Sequence, residues 1–256
     1  MTTATPGTLV LVPNTLDLGT EAGELQDVLP AGVLRRAAGL RHWIAENAKT
    51  TRAFLKRVDA VVPLAQPLQA ISIVELPRPR KGGGSDAVPG AEQWQALLSP
   101  AMQGDDVGLI SEAGLPAVAD PGAAVVDAAH RLGVPVQALA GASSLMLALA
   151  ASGLNGQSFA FVGYLPVEAA ARAARLKELE SLSRRSGQTQ LVIETPYRNT
   201  ALLNAMAAAL SPTTQLSVSC GLTLANGWTR TQAVAQWRKA QTTLPDRLPA
   251  VFAFLA

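Results

Sequence analysis

Residues 106–122, DVGLISEAGLPAVADPG, hold the types and spacing most able to grip a ligand. A short apolar run, Val107–Ile110, ends in Ser111-Glu112-Ala113-Gly114-Leu115-Pro116. A second turn follows at Asp120-Pro121-Gly122, and then an apolar-periodic stretch begins. The pattern predicts a buried strand, a tight loop at its carboxyl end, and a helix with proline in its first turn. Ligands of open α/β sheets lie outside the carboxyl ends of the strands, so this loop is a candidate ligand wall. Gly114, lacking Cβ, lets a ligand approach the backbone and leaves main-chain amides to grip it. Pro116 and Pro121 stiffen the bend. An ordinary strand-to-helix connection that binds nothing has the same local chemistry. Three carboxylates sit at predicted strand ends, Glu46, Glu112 and Glu194. Each could orient or deprotonate a hydroxyl, or it could cap a helix or pair with an arginine such as Arg52 or Arg198.

The elements that must position these groups alternate along the chain. Strands are expected at Thr8–Pro13, Trp43–Glu46, Ile71–Leu76, Val107–Ile110 and Val134–Leu139. Helices are expected at Thr50–Val58, Ala91–Leu98 and Gly122–Leu132, the last with Val125, Val126, Ala129 and Leu132 on one face. This order predicts right-handed βαβ units and a parallel sheet. After Ala140-Gly141-Ala142, Ser143 or Ser144 can cap an apolar helix over Leu145–Ala151. Further strands are read at Phe159–Gly163, Thr189–Glu194, Gln215–Cys220 and Ala250–Leu255. Further helices are read at Glu168–Leu182, Thr200–Leu210 and Gln232–Lys239. The fold class is therefore two α/β domains, residues 1–139 with a parallel sheet and 140–256 with a mixed one.

Composition narrows the function classes. The 256 residues are 48% hydrophobic, 16% charged and 4% aromatic, so the core must be built from Ala, Val and Leu. A net charge of +2 does not by itself mark a nucleic-acid binder, whose footprint is a clustered basic face. One basic cluster, Arg78, Arg80 and Lys81, lies in the Pro/Gly-rich stretch 76–90 beside Gly82-Gly83-Gly84-Ser85. It could meet a phosphate backbone or simply be a solvated loop. The GxxxxGK[ST] spacing is absent there, and no GxGxxG follows the first strand, which leaves P-loop and dinucleotide sites without support. Cys220 lies in an apolar run and reads as core. With only His42 and His130 beside it, a zinc cluster is not expected. His130 reads as a helix-face residue, and His42 as buried beside Trp43. No apolar run reaches bilayer length and no signal peptide is read, so the cytoplasm is the expected compartment.

Five motifs in order resemble the tetrapyrrole-methylase superfamily, and within it the branch of bacterial small-subunit ribosomal RNA methyltransferase I and its paralogues. LISEAGLPAVADPG is similar to that branch's VSDAGTPLISDPG, and LAGASS at Leu139–Ser144 to its PLPGPSA. FAFVGYLP at Phe159–Pro166 is similar to F-x-G-F-L-P, IETPYR at Ile193–Arg198 to YESPHR, and AENAKTTRAFL at Ala45–Leu55 to AEDTRxxxxLL. The chain departs from the pattern at Asn47 (Asp in the branch), Lys49, Tyr197, Ala140 and the turn VPNTLDLG. The changes fall mostly on the side that the resemblance gives to the substrate, so the chain resembles a paralogue of that enzyme rather than the enzyme itself.

The resemblance implies a methyltransferase with S-adenosylmethionine in a cleft between two domains, usually a homodimer and with no metal. It assigns the cofactor to Pro13, Glu112, Gly114, Leu115, Pro116, Ser143 and Ser144, and to Tyr164, Ala225, Asn226, Pro249 and Ala250. For the acceptor the candidates are Glu46, Glu194 and Arg52, with Arg198 as a second basic residue facing an anionic acceptor. The activity implied is 2′-O-methylation of ribosomal RNA. The alternatives are methylation of a small molecule such as a tetrapyrrole, or cofactor binding without catalysis.

Overall fold

The computed structural model describes residues 5–16, 23–77 and 90–256. The basic residues Arg78, Arg80 and Lys81, the 82–85 segment, and residues 17–19 of the first-strand turn lie outside them. The chain divides into two compact units, Met1–Ala142 and Ser143–Ala256.

The first unit holds strands β1 (Leu9–Leu11), β2 (His42–Ala45), β3 (Ser72–Glu75), β4 (Val107–Ile110) and β5 (Val136–Ala138). They form one sheet in the order β3-β2-β4-β1-β5, with every pairing parallel. Helices α1 (Leu25–Val28), α2 (Ala31–Ala38) and α3 (Ala48–Asp59) connect the strands that run toward β3. Helices α4 (Ala91–Met102) and α5 (Ala123–Arg131) connect the strands that run back to β5. Right-handed crossovers of opposite direction place their helices on opposite faces of a sheet. Two separate cores bear this out. Val10, Leu34, Trp43, Phe54 and Leu55 pack in one, and Leu9, Ile44, Leu98, Leu109 and Val125 in the other. The central strands β1, β2 and β4 thus bury both faces, while the edge strands β3 and β5 stay largely exposed, and this is why Val107–Ile110 reads as a continuous apolar run rather than an alternating one.

In the second unit, α6 (Ser144–Ser152) precedes β6 (Phe159–Tyr164), α7 (Ala169–Ser186), β7 (Thr189–Ile193) and α8 (Asn199–Ala209). Strands β8 (Gln215–Cys220) and β9 (Trp228–Ala233), helix α9 (Val234–Ala240) and β10 (Ala250–Leu255) complete it. The sheet order is β6-β7-β10-β8-β9. Only β6 and β7 pair in parallel, so the sheet is mixed. The strand AVFAFL is buried on both sides because the sheet is covered twice. Phe252 and Phe254 face Leu202, Met206 and Trp237, while Val251 and Ala253 face Leu145 and Leu149 of α6. Cys220 is fully buried in the first of these cores, where desolvation pushes its thiol pKa up.

Several expectations need correction. Residues 232–233 belong to strand β9, and the helix begins only at Val234. In Trp228–Ala233 the hydroxyl side chains alternate. Ser219 Oγ lies 2.9 Å from Thr229 Oγ1, and Thr231 Oγ1 donates to Ser152 O at 2.7 Å. Arg230 lies over the Trp228 and Trp237 rings at 5.5 and 6.0 Å, a cation–π arrangement. Pro121 precedes α5 instead of entering its first turn, because Gly122 at φ 129° occupies the N-cap position. Ser143 is the N-cap of α6, yet no side-chain capping bond forms. His42 is only partly buried, with its Nε2 3.7 Å from Asp105 Oδ2. Helices α1 and α2 were not read from the sequence.

Candidate ligand crevice at the strand tips

β1 and β4 are neighbours whose outgoing connections leave toward opposite faces, β1 toward α1 and α2, β4 toward α5. Such a switch point opens a crevice outside the strand ends. Pro13 and Pro116 are buried at these tips, Gly114 is buried, and Leu115 is half-buried. Gly141, just past β5, approaches so closely that a Cβ there would lie 2.2 Å from Pro13 Cβ.

The tips are laced together by hydrogen bonds. Asn14, 7% exposed, donates through Nδ2 to Ser111 O at 3.1 Å and to Glu112 O at 3.0 Å. Its Oδ1 accepts from Thr15 N at 2.9 Å. Its own amide donates to Gly114 O at 2.9 Å, and Gly114 N donates to Thr15 O at 3.3 Å. The Gly114 amide is therefore occupied and is not one of the amides left to grip a ligand. Among the described residues, the Ala113 and Leu115 amides have no acceptor. The sequence signal for Asn14 was present, since a buried-strand terminus followed by Asn marks a side chain able to bond local backbone, but it was not singled out.

Gly114 sits at φ +65°, where a Cβ would meet Leu16 Cδ2 at 3.3 Å and Ala142 O at 3.6 Å. Ala117 and Ala119 also adopt positive φ, 66° and 62°. Alanine in this region is strained by about 1 kcal/mol or more, and such strain persists only where the surroundings fix it. Ala117 N bonded to Pro121 O and Val118 N bonded to Leu115 O, each at 3.3 Å, hold the loop in this shape.

Acidic side chains bind the β2 tip to the same loop. Glu46 Oε2 accepts from Glu112 N at 3.0 Å. Asn47 caps α3 by accepting from Lys49 N at 2.9 Å and Thr50 N at 3.4 Å, and its Nδ2 donates to Glu112 Oε1 at 3.1 Å. Arg52 is exposed on the first turns of α3, 3.5 Å from Ala48 O and not paired with Glu46. Asp120 sits with these groups, its pKa pushed up to about 7 by burial first and then by the Glu46 and Glu112 carboxylates.

The Asp120 shift has a stability consequence. Folded, Asp120 keeps its proton to about pH 7. Unfolded, it loses it near pH 4. The folded chain binds more protons between those values, so stability falls as pH rises from about 4 to 7 and then levels off. Asp120→Asn removes that dependence. Melting temperatures at pH 5 and pH 8 are expected to differ more for the unmodified protein than for the variant.

In the second unit the register brings several of the expected residues to one end of the sheet. Tyr164 and Glu194 close the parallel strands β6 and β7 at that end. Pro249 and Ala250 open β10 there, and the 221–227 turn holding Ala225 and Asn226 joins β8 to β9 there. Gly221 N donates to Pro249 O at 2.9 Å. Tyr164 is 60% exposed. Ser143 and Ser144 begin α6 and are half-buried. Glu194 is buried and bound to Arg198 at 2.6 Å, with Thr195 N donating to it at 2.8 Å. Glu194 and Arg198, both candidates for the acceptor, are joined to each other as an ion pair.

The family model described as "Tetrapyrrole (Corrin/Porphyrin) Methylases" matches residues 48–234. A ribosomal RNA small subunit methyltransferase I of Micromonospora olivasterospora is 42% identical over 114 residues, 44% of this chain and 35% of the relative. One from Streptococcus pyogenes serotype M6 is 30% identical over 207 residues, 80% of this chain and 61% of the relative. The chain thus spans between about a third and three-fifths of the length of these curated relatives. Among solved structures, the cobalt precorrin-4 methyltransferase CbiF has a TM-score of 0.56 at 14% identity, covering 97% of this chain and 94% of that one. The uroporphyrin-III C-methyltransferase of Thermus thermophilus, complexed with S-adenyl homocysteine, has a TM-score of 0.54 at 18% identity, covering 97% of both chains.

Proposed function

The chain belongs to the tetrapyrrole methylase family, and from that premise we propose that it is an S-adenosylmethionine-dependent methyltransferase acting on RNA. The acceptor proposed is a ribose 2′-hydroxyl of ribosomal RNA, in line with the names of the sequence relatives. The observation that carries the reading is the loop at the β4 tip, beside β1, where two unbonded amides flank a glycine at positive φ.

The residues present fit the cofactor. The Ala113 and Leu115 amides suit its carboxylate or ribose oxygens, as two donors without an acceptor suit an oxygen-rich ligand. Gly114 permits the positive φ that gives the loop its shape, and Pro13, Leu115 and Pro116 supply apolar wall. S-adenosylmethionine bound there supplies the electrophilic methyl group. The chain's own contribution is to align the acceptor with it and exclude water. Glu46 and Arg52 are the residues we assign to the acceptor, Glu46 for its place at the β2 tip and Arg52 as an exposed cation for phosphate. In the second unit we assign ligand contact to Tyr164, Ala225, Asn226, Pro249 and Ala250, which share one end of their sheet, and to Ser143 and Ser144 at the start of α6. A cytoplasmic homodimer is proposed on the family resemblance. No described helix is long and apolar enough to cross a membrane.

Calorimetry with S-adenosylhomocysteine, followed by tritiated-methyl transfer to ribosomal RNA from cells lacking the gene, tests this. Binding together with labelled RNA is the expected result. Binding without transfer to RNA would replace the enzyme with a cofactor-binding module, or with a small-molecule methyltransferase if a tetrapyrrole is labelled. No binding would overturn the reading.

A further inference from the structure

We propose that Asn14 is the positioning residue of this crevice: its carboxamide fixes the spacing of the β1 and β4 tips and so aims the Ala113 and Leu115 amides at the ligand. The inference rests on the cofactor reading above, and adds to it a residue that none of the motif comparisons singled out.

The geometry leaves Asn14 little room for another role. Its carboxamide is buried and both ends are engaged, the NH2 group on two consecutive carbonyls of the β4 tip and the oxygen on Thr15 N. A side chain so fully used has little hydrogen-bonding capacity left for a ligand. Its effect on a ligand is therefore indirect. The Ser111 and Glu112 carbonyls are turned toward Asn14, and the backbone bonds Asn14 N to Gly114 O and Gly114 N to Thr15 O close the ring on the other side. Holding those carbonyls on one side fixes the planes of the peptides that follow. The Glu112–Ala113 peptide carries the Glu112 carbonyl at one end and the Ala113 amide at the other, so anchoring the oxygen sets the direction of the N–H. The Gly114–Leu115 peptide is fixed likewise, since Asn14 N holds the Gly114 carbonyl and Leu115 supplies the N–H. One residue thus orients both unbonded donors, through its side chain for the first and its main chain for the second.

Only an amide side chain of this length does this. Aspartate keeps the shape and the acceptor for Thr15 N, but its second oxygen brings lone pairs where two carbonyls need donors. It also adds a negative charge against the Ser111 and Glu112 carbonyl oxygens.

The test uses the whole chain and S-adenosylhomocysteine as probe. Asn14→Asp is expected to weaken binding at least about tenfold, the scale of two lost hydrogen bonds that pre-set a binding loop. In the ligand-free variant the Ala113 amide resonance should shift from its position in the unmodified protein. Leu98→Ala, which opens a cavity beside α4 away from the tips, serves as the stability control. It should lower the melting temperature while leaving the dissociation constant unchanged. Should Asn14→Asp fail to fold, Asn14→Ala carries the same measurements. Asn14 variants that bind as tightly as the unmodified protein would overturn the inference while leaving the cofactor reading intact. An unmodified protein that binds no cofactor would overturn the reading on which both stand.

Discussion

Gly114→Val is expected to raise the dissociation constant for S-adenosylhomocysteine about a hundredfold, or about 2.7 kcal/mol. The position lies at φ +65°. A β-branched residue is an outlier in that region, and holding it there costs roughly 1–3 kcal/mol. The added Cβ would also press on Leu16 Cδ2 at 3.3 Å, with Ala142 O behind it at 3.6 Å. The loop can relieve both only by rotating the peptides on either side of residue 114. Those are the peptides adjoining the two unbonded amides, so strain relief and ligand grip compete directly. Calorimetry on the variant checks this, and an affinity within about twofold of the unmodified protein would contradict the placement, since it corresponds to well under 1 kcal/mol.

Gly108→Val is expected to be the most damaging change to stability, with no role for the ligand. Gly108 is the second residue of β4, and the Trp43 side chain of β2 lies over it. A Cβ there would stand 2.8 Å from Trp43 Cε3 and 3.0 Å from Leu40 Cδ1. Trp43 cannot easily yield. It is 1% exposed, packs edge-on against Phe54 with ring centroids 6.3 Å apart, and donates to Leu40 O at 3.4 Å. Overpacking of this kind costs about 3 kcal/mol, equivalent to a fall of roughly 10 °C in melting temperature for a unit of this size. Thermal unfolding of the variant reads it, and an unchanged transition would contradict the packing described here.

Much of the fold was legible because its central strands are buried on both faces. TLVLVP, VGLI and AVFAFL are apolar runs too short for helices and bounded by turn residues, and all became strands. The strand Trp228–Ala233 was obscured by its polar side chains. Thr229 and Thr231 satisfy their hydroxyls against Ser219 and Ser152 O under α6, a tertiary arrangement that no local pattern announces. Helix α2 did carry a signal, Val33, Leu34, Ala37 and Ala38 at helical spacing, all buried. It is only eight residues long, with Gly32 in its first turn, and such short helices depend on packing rather than propensity.

The site was half legible. The β4 loop and its glycine stood out because glycine and proline punctuate a chain. Which amides stay unbonded did not, because that depends on Asn14 and Thr15 reaching across from a strand 97 residues away along the chain to Ser111. Glu194 illustrates the converse. Its position at a strand end suits catalysis, yet Arg198, one turn on, closes its carboxylate. Sequence spacing alone allows both outcomes.

The most direct test is a titration of 15N-labelled protein with S-adenosylhomocysteine, followed at the backbone amides of residues 111–116. We predict that Ala113 and Leu115 shift progressively and saturate, with a smaller movement at Gly114, whose N–H is already held by Thr15 O. Saturable binding that leaves residues 111–116 unmoved would contradict the claim that this loop grips the cofactor.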